Sequence, residues 1–234
     1  MSREFKEIMK QLSEMGDDKR KKYNKKLGAD DNQFGIAMGK LRALAKQIKT
    51  NHTLALELWE SRNYDAMVLA AMLFDSKLLR EQDFEELIKD AYTSNLVDEL
   101  IFRALSLSSY AKQYLKKWAK IDDDRIGQGG WDLAVALLIK GELPDDEIEE
   151  LLVYIEEHLA GAPAAKQWAM NRFLCEAGIR DDKYTDRCIA MGEKLGIYKE
   201  LKVAKGCTSA YAPEWIQKGI ENRRKANNRK NNHR

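Results

Sequence analysis

The chain has 234 residues, enough to bury the core of one large domain or two small ones. Its composition, 44% hydrophobic and 33% charged, and the lack of any apolar run of roughly 20 residues predict a soluble, cytoplasmic protein that does not enter a membrane. The net charge of +2 excludes a surface that is basic throughout, and three scattered cysteines and three scattered histidines predict no disulfide, metal or other cofactor.

Helical periodicity runs along the whole chain, and no segment has the alternation of a β-strand. Polar residues that can accept hydrogen bonds from a first helical turn precede several segments, among them Asp83, and glycine follows others. Helices are predicted near residues 3–14, 17–26, 37–49, 52–60, 63–74, 83–92, 95–106, 109–119, 123–139, 145–159, 163–177, 182–195 and 213–224.

Neighbouring helical segments form pairs of similar length. LALELWE and YDAMVLAAMLF make one pair, FEELIKDAY and LVDELIFRAL another, and the pairs recur about every 35–45 residues. Such a pair cannot bury its apolar faces alone, so the pairs stack. The pattern predicts an all-α, HEAT-like helical-repeat solenoid, an alpha-alpha superhelix with a concave basic cleft. An irregular helical bundle is the alternative.

One helical domain, residues 1–220, is predicted to be followed by a basic tail, residues 221–234. The tail ENRRKANNRKNNHR has six Lys and Arg against one Glu and few apolar residues, which is typical of a disordered terminus. Because the tail is so basic, the rest of the chain is slightly acidic. A polyanion must therefore bind at local patches.

Two clusters of cations lie near the N-terminus. The segment DDKRKKYNKK, residues 17–26, surrounds Tyr23 with six basic residues. Arg42, Lys46 and Lys49 repeat at i, i+4 and i+7 along one face of a helix. Each cluster is typical of a solvated helix face, and each can also hold a phosphate backbone. Because the concave face of a repeat protein favours a macromolecular partner, both interpretations stay open.

An acid, Asp98, lies within the amphipathic helix of YTSNLVDELIFRAL, residues 92–105. The apolar face of this helix is predicted to consist of Leu96, Val97, Leu100, Ile101 and Ala104. Asp98 falls on the flank of that face and outside the Glu99–Arg103 pair on the opposite side. It is either a partly exposed acid bonded to a neighbouring helix or a carboxylate placed beside a cation.

Two further segments have a structural and a functional interpretation. GQGGWDLAV places Gly127, Gly129 and Gly130 near a helix start, where they either let two helices pack closely or meet a phosphate. KGCTSAYAPEWI, around Cys207, is either a turn between helices or a loop that contacts phosphate or closes over the cleft. No histidine lies near Cys207 in the sequence to activate it as a nucleophile.

Several motifs together resemble the AlkD-like DNA alkylation repair proteins, HEAT-like helical proteins that include glycosylases for alkylated purines. The resemblance runs from about residue 4 to residue 219. It rests on Tyr23 after a basic helix, FGI at 34–36, MGKLRALAKQIK followed by HTLALELWES, DELI around Asp98, GGWDLAV at 129–135, WAMNRFLCEAG at 168–178 and GCTSAYAPEWI at 206–216. The last motif is similar to that of a less-studied branch of the family.

The resemblance implies a DNA-3-methyladenine/7-methylguanine glycosylase that holds damaged or distorted double-stranded DNA in its cleft as a monomer. Asp98 matches the catalytic aspartate, which stabilises the positive charge on the deoxyribose as a cationic alkylated purine leaves. Tyr23 is expected to shape the site. Arg42, Lys46, Lys49 and Arg172 are expected to contact phosphates, and Trp131 and Trp168 to contact the DNA.

This sequence departs from the glycosylases at three matched positions. Ser94 stands where the glycosylases have a tryptophan shortly before the aspartate. Arg172 stands at the second tryptophan position, with Trp168 one turn upstream, and Trp131 is the nearest match to an arginine that grips phosphate. Loss of an aromatic contact with a base costs about 1–3 kcal/mol. The alternative is therefore a non-catalytic helical scaffold that binds a nucleic-acid structure or a protein partner.

Overall fold

The computed structural model describes residues 1–204 and 206–231, and the side chains of all of these except residues 229–231. Within those ranges the chain has no β-strand, so the predicted all-α class is confirmed. The helices are α1 (Arg3–Glu14), α2 (Asp18–Lys26), α3 (Met38–Ile48), α4 (His52–Glu60), α5 (Tyr64–Leu73), α6 (Glu81–Asp90), α7 (Ser94–Arg103), α8 (Ala111–Trp118), α9 (Asp124–Lys140), α10 (Asp145–His158), α11 (Ala164–Arg180), α12 (Asp182–Leu195) and α13 (Ala212–Asn231).

Side-chain oxygens begin several helices, because the first N–H groups of a helix have no partner within it. Thr93 accepts the Leu96 N–H at the start of α7 over 3.2 Å. The sequence predicts Asp83 as such a cap for α6, whereas the helix begins at Glu81. Asp83 accepts the Arg80 N–H over 2.7 Å from within the first turn. Asp83 therefore supports the helix start from inside it.

The chain forms two compact units, Met1–Leu133 and the part from Ala134 onward, and the boundary between them lies inside α9. In the first unit, α4 and α5 pack along each other. They run in opposite directions, since the Asn51 N–H at the start of α4 donates to the Leu73 carbonyl at the end of α5 over 2.9 Å. α3, α5 and α7 pack side by side in one layer.

The other helices of the first unit are joined by polar contacts. Lys117 of α8 pairs with Glu85 of α6 over 2.6 Å. Arg62, which follows α4, pairs with Asp90 at the end of α6 over 2.6 Å. Alternate helices therefore belong to separate rows, as expected for stacked helix pairs.

In the second unit, α11, α12 and α13 pack against one another, and α10 packs against α11. α10 and α12 run in the same direction, because ion pairs join both their starts and their ends. Lys183 lies 2.8 Å from Asp145 at the starts, and Lys194 lies 2.8 Å from Glu156 at the ends. In the first unit α6 and α8 also run in the same direction, because Glu81 bonds Gln113 near their starts and Glu85 pairs with Lys117 one turn later.

The C-terminal segment differs from the predicted disordered tail. α13 continues through Asn231, and residues 221–228 are helical with exposed side chains. Extending a packed helix needs no new nucleus, and Arg, Lys and Ala favour helix. Residues 232–234 lie outside the described residues. Across the described ranges, no helix combines the length and apolar character that crossing a bilayer requires.

Candidate functional site

Asp98 lies on α7, at the edge of its buried face. Leu96, Val97, Leu100 and Ile101 are fully buried, as the helical pattern predicts, whereas Asp98 is partly exposed. Ser94, one turn earlier on the same side of the helix, is exposed. The position matched by resemblance to a tryptophan of the AlkD-like glycosylases therefore presents a small polar side chain to solvent.

A buried glutamine of α9, Gln128, holds Asp98. Gln128 is 2% exposed, and its Nε2 lies 3.0 Å from the Ser94 carbonyl, 3.3 Å from Asp98 Oδ1 and 3.2 Å from Asp132 Oδ2. Asp132 is fully buried. The two N–H donors of one amide group thus lie within reach of two carboxylates and of a carbonyl in the first turn of α7. Asp98 is bonded to a neighbouring helix, as one of its two interpretations predicts, and the bond also fixes its orientation.

Gln128 is a site residue that the sequence analysis missed. Its Oε1 is buried and accepts no hydrogen bond from the described residues. The available signal was a polar side chain that lies four residues before Asp132 and between glycines, inside a helix that is otherwise apolar. That pattern indicates a buried amide, which needs partners. It does not indicate that the partner is Asp98, 30 residues away.

Trp131 is a core residue, which corrects the expectation that it contacts DNA. Its side chain is fully buried, and the indole N–H donates to the Ala119 carbonyl over 3.0 Å. The neighbouring Gly130 allows this packing, because a Cβ at that position would lie 2.3 Å from the Ala119 nitrogen. The close approach of α8 and α9 buries Trp131 between them. Trp131 therefore offers no surface to a nucleic acid.

Tyr23 lies on α2 among the cations that the sequence predicts around it. Its side chain is 50% exposed, and the Arg20 guanidinium lies over the ring, 4.6 Å from the centroid. α2 begins with the Asp17 side chain accepting the Arg20 N–H over 2.8 Å. The ring is thus held against a half-buried guanidinium group and keeps half of its own surface exposed.

Arg42 and Lys46 of α3 share one surface with Lys49, which directly follows the helix, as their spacing predicts. Together with the end of α5 and the end of α7, they line a cavity of about 440 Å³, which we call the basic cavity. Its lining consists of Arg42, Ala45, Lys46, Lys49, Thr50, Met72 and Arg103. Within the described residues, Lys46 and Lys49 form no ion pair with an acid. Lys46 and Lys49 are therefore available to an anionic ligand, whereas Arg42 Nη2 lies 3.3 Å from Glu99 Oε1.

One residue of the basic cavity, Lys49, has an unusual backbone conformation. Lys49, which follows the last residue of α3, has a φ of 67°. Only a few per cent of residues other than glycine have positive φ, and such strain is concentrated at functional sites. Lys49 is held there by its N–H, which donates to the Ala45 carbonyl over 2.8 Å. The conformation sets the direction in which the Lys49 side chain leaves the helix end.

Trp168 and Arg172 belong to the second unit and lie one turn apart on α11. Trp168 is 38% exposed, and its ring centroid lies 5.5 Å from that of Tyr198 and 5.9 Å from that of Trp215. Tyr198 has a φ of 61°, and burial raises the pKa of its hydroxyl. Arg172 is partly buried. Trp168 thus keeps an exposed aromatic surface, which fits its predicted role as a contact.

A metal site needs several possible ligands that lie together. In the described part of the chain, three or more His, Cys, Asp or Glu side chains do not come together as ligands. Cys175 and Cys188 are buried, and Cys207 is exposed. The arrangement offers fixed carboxylates, exposed aromatics and clustered cations.

Comparisons with known proteins place these features in context. A family described as "DNA alkylation repair enzyme" matches residues 8–216. The uncharacterised protein Lin0241 of Listeria innocua is 26% identical over 188 residues, 78% of this chain and 80% of that one. Lmo0209 of Listeria monocytogenes, also uncharacterised, is 25% identical over 186 residues, again 78% and 80%.

One solved structure is similar over nearly the full length. It is described as "a new family of proteins related to the HEAT-like repeat DNA glycosylases with affinity for branched DNA structures". The TM-score is 0.82 and the identity 29%, over 94% of this chain and 95% of that one. The HEAT-like helical-repeat fold predicted from the sequence is confirmed.

Proposed function

Because the chain belongs to the family of DNA alkylation repair enzymes, we propose that it binds DNA and recognises a damaged, distorted or branched duplex. The observation that carries this proposal is the clustering of Arg42, Lys46 and Lys49 around the basic cavity. Cations gathered on one surface are what a phosphate backbone needs. The similar structure described with affinity for branched DNA supports the same partner. In this proposal the protein works as a cytoplasmic monomer without a cofactor.

The salt dependence of binding tests the role of Lys46 and Lys49. Each phosphate contact releases a counterion, so the slope of log affinity against log salt changes by about 0.9 per contact. We expect Lys46→Gln and Lys49→Gln each to weaken binding to a labelled four-way junction. Each should also make the slope shallower by about 0.9. Fluorescence anisotropy between about 50 and 200 mM salt measures both quantities.

Lys112→Gln is the matched control, because it removes the same charge from an exposed position on α8 outside the basic cavity. We expect its slope to equal that of the parent protein. A parent protein that binds neither a junction nor a duplex at low salt would refute DNA binding altogether. If the slopes of all three variants equal that of the parent protein, the phosphate contacts lie elsewhere.

A second candidate function is excision of cationic alkylated purines, and the fixed orientation of Asp98 favours it. Gln128 holds Asp98 Oδ1 at 3.3 Å, and the carboxylate is partly exposed at the flank of α7. A preoriented carboxylate can stabilise the positive charge that grows on the deoxyribose as the base leaves. Exposed Ser94 and buried Trp131 supply neither an aromatic contact nor a phosphate grip, so DNA binding without excision remains the first candidate.

Base release under single-turnover conditions distinguishes the two candidates. The protein is incubated in excess over a duplex that contains N7-methylguanine or N3-methyladenine, beside the Asp98→Asn variant. If excision occurs, we expect release to fall by about tenfold or more in the variant, which keeps the shape but loses the charge. If both proteins bind the duplex and neither releases a base, the function is binding alone.

A further inference from the structure

A buried carboxylate connects two arginines at the basic cavity. Glu99 of α7 is buried, with each of its oxygens bonded to a different guanidinium group. Arg42 Nη2 of α3 lies 3.3 Å from Oε1, and Arg103 Nε of α7 lies 3.2 Å from Oε2. Because one rigid carboxylate accepts from both, the two guanidinium groups have a fixed separation and direction.

The two arginines keep most of their hydrogen-bonding capacity. A guanidinium group has five N–H donors, and each arginine uses one nitrogen on Glu99. Their side chains are 54% and 45% exposed, and both residues line the basic cavity. Lys46 and Lys49 line the same space. Among the described residues, four cations therefore line the cavity, and the carboxylate of Glu99 lies behind two of them.

We propose that the basic cavity binds one phosphate group of the DNA, and that Glu99 is the positioning residue that holds Arg42 and Arg103 for it. This inference rests on the proposed DNA binding and assigns a specific contact to it. Planar guanidinium groups with free donors match the oxygens of a phosphate, and Lys46 and Lys49 add charge. The phosphate is either a diester of the backbone or a terminal monoester at a nick or an end.

The two possible effects of Glu99 on DNA affinity have opposite signs, one through its charge and the other through its hold on the arginines. Glu99→Gln removes a negative charge beside a polyanion site, so long-range attraction alone predicts tighter binding. If Glu99 instead holds the arginines in place, its loss leaves both side chains flexible. Ordering them on the phosphate then costs conformational entropy, which weakens binding. Positioning therefore predicts weaker binding by a more positive protein.

The test compares Glu99→Gln and Arg103→Gln with the parent protein in anisotropy titrations on one four-way junction. We expect each variant to lower the affinity by about tenfold, the usual effect of one charge-assisted hydrogen bond. The slope of log affinity against log salt should be shallower in Arg103→Gln by about 0.9. Glu85→Gln is the control, because Glu85 pairs with Lys117 and neither residue lines the basic cavity. The same charge change there should leave binding equal or tighter.

The outcomes separate this inference from the proposed function. If the parent binds the junction while Glu99→Gln binds as tightly or more tightly and Arg103→Gln is unchanged, the phosphate site is refuted and DNA binding stands. If the parent does not bind, the proposed function itself fails. If Glu99→Gln does not fold, as judged by circular dichroism, Arg103→Gln and Arg42→Gln decide alone, and equal affinity in both refutes the site.

Two nicked duplexes identify the source of the phosphate. They differ only in whether the 5′ terminus at the nick carries a phosphate or a hydroxyl. A preference of the parent for the phosphorylated nick that disappears in Arg103→Gln assigns the cavity to a terminal monoester. Equal affinity for both nicks, with both weakened equally by Arg103→Gln, assigns it to the backbone. Both results support a phosphate in the cavity.

Discussion

The side-chain nitrogen of Gln128 lies 3.3 Å from Asp98 and 3.2 Å from Asp132, so one buried amide separates two carboxylates. Asp132 is fully buried, and a buried acid depends on its hydrogen-bond donors. Gln128 also bonds the Ser94 carbonyl in the first turn of α7. The same side chain thus stabilises the α7–α9 contact and orients the acid of the second candidate function.

Replacing Gln128 with methionine should destabilise the fold, since methionine keeps the approximate shape but donates nothing. We expect the free energy of unfolding to fall by about 1–3 kcal/mol, the cost of leaving buried acceptors without that donor. Urea denaturation measures the change. Gln113→Met is the control, because Gln113 is exposed and bonds only the side chain of Glu81 among the described residues. Equal losses in both variants would contradict the role given to Gln128.

A second buried acid, Asp65, positions the segment that leads into α3. Its carboxylate accepts the N–H groups of Phe34, Gly35 and Ile36 over 2.7, 2.8 and 2.9 Å. Asp65→Asn would turn an amide N–H toward backbone donors, so we expect the free energy of unfolding to fall by roughly 3 kcal/mol. Chemical denaturation checks this. The exposed Asp186→Asn should change it by less than about 0.5 kcal/mol.

Local patterns predicted a large part of the fold and of the candidate site. The burial of Leu96, Val97 and Leu100 follows from the 3.6-residue period of α7. The common surface of Arg42, Lys46 and Lys49 follows from the same period in α3. Each of these statements concerns residues within one helix, where spacing in the sequence determines which side chains share a face.

Contacts between distant segments could not be predicted in this way. Glu99 bonds Arg42 across 57 positions of the chain, so the basic cavity includes an acid that the run of cations does not indicate. Trp131 stands beside glycines in α9, and its sequence allows either a core or a surface position. The packing of α8 against Gly130 decides between them. Tertiary packing thus fixes the partners, whereas periodicity fixes only the faces.

The glycines of GQGGWDLAV lie inside α9, and Gly130 should tolerate no side chain. A Cβ at Gly130 would lie 2.3 Å from the Ala119 nitrogen and 2.6 Å from the Trp118 carbonyl carbon. We expect Gly130→Ala to lower the free energy of unfolding by about 1–3 kcal/mol, because backbone must move. Gly39→Ala in α3 has nothing within 4 Å of the new Cβ and should raise it by up to about 1 kcal/mol. Thermal and urea unfolding compare the pair, and the interpretation fails if both shift in the same direction.

Cys188 on α12 should make the fold less stable at alkaline pH. Burial raises the pKa of its thiol from 9.0 to about 12. Between these values the unfolded chain loses a proton that the folded chain keeps. The contribution of this group is thus complete below about pH 9 and declines as pH rises toward the folded pKa, by up to about 1.4 kcal/mol per pH unit.

Cys188→Ala should therefore make the decline in unfolding free energy between about pH 9 and pH 11 shallower than in the parent protein. Tyrosines and lysines that titrate in the same range are common to both proteins, so their effects cancel in the difference. Urea unfolding at several pH values gives the two slopes. Cys207→Ala is the matched control, since it makes the same substitution at an exposed cysteine. Equal slopes for Cys188→Ala and the parent would mean that the buried thiol ionises as readily in the fold as in the unfolded chain.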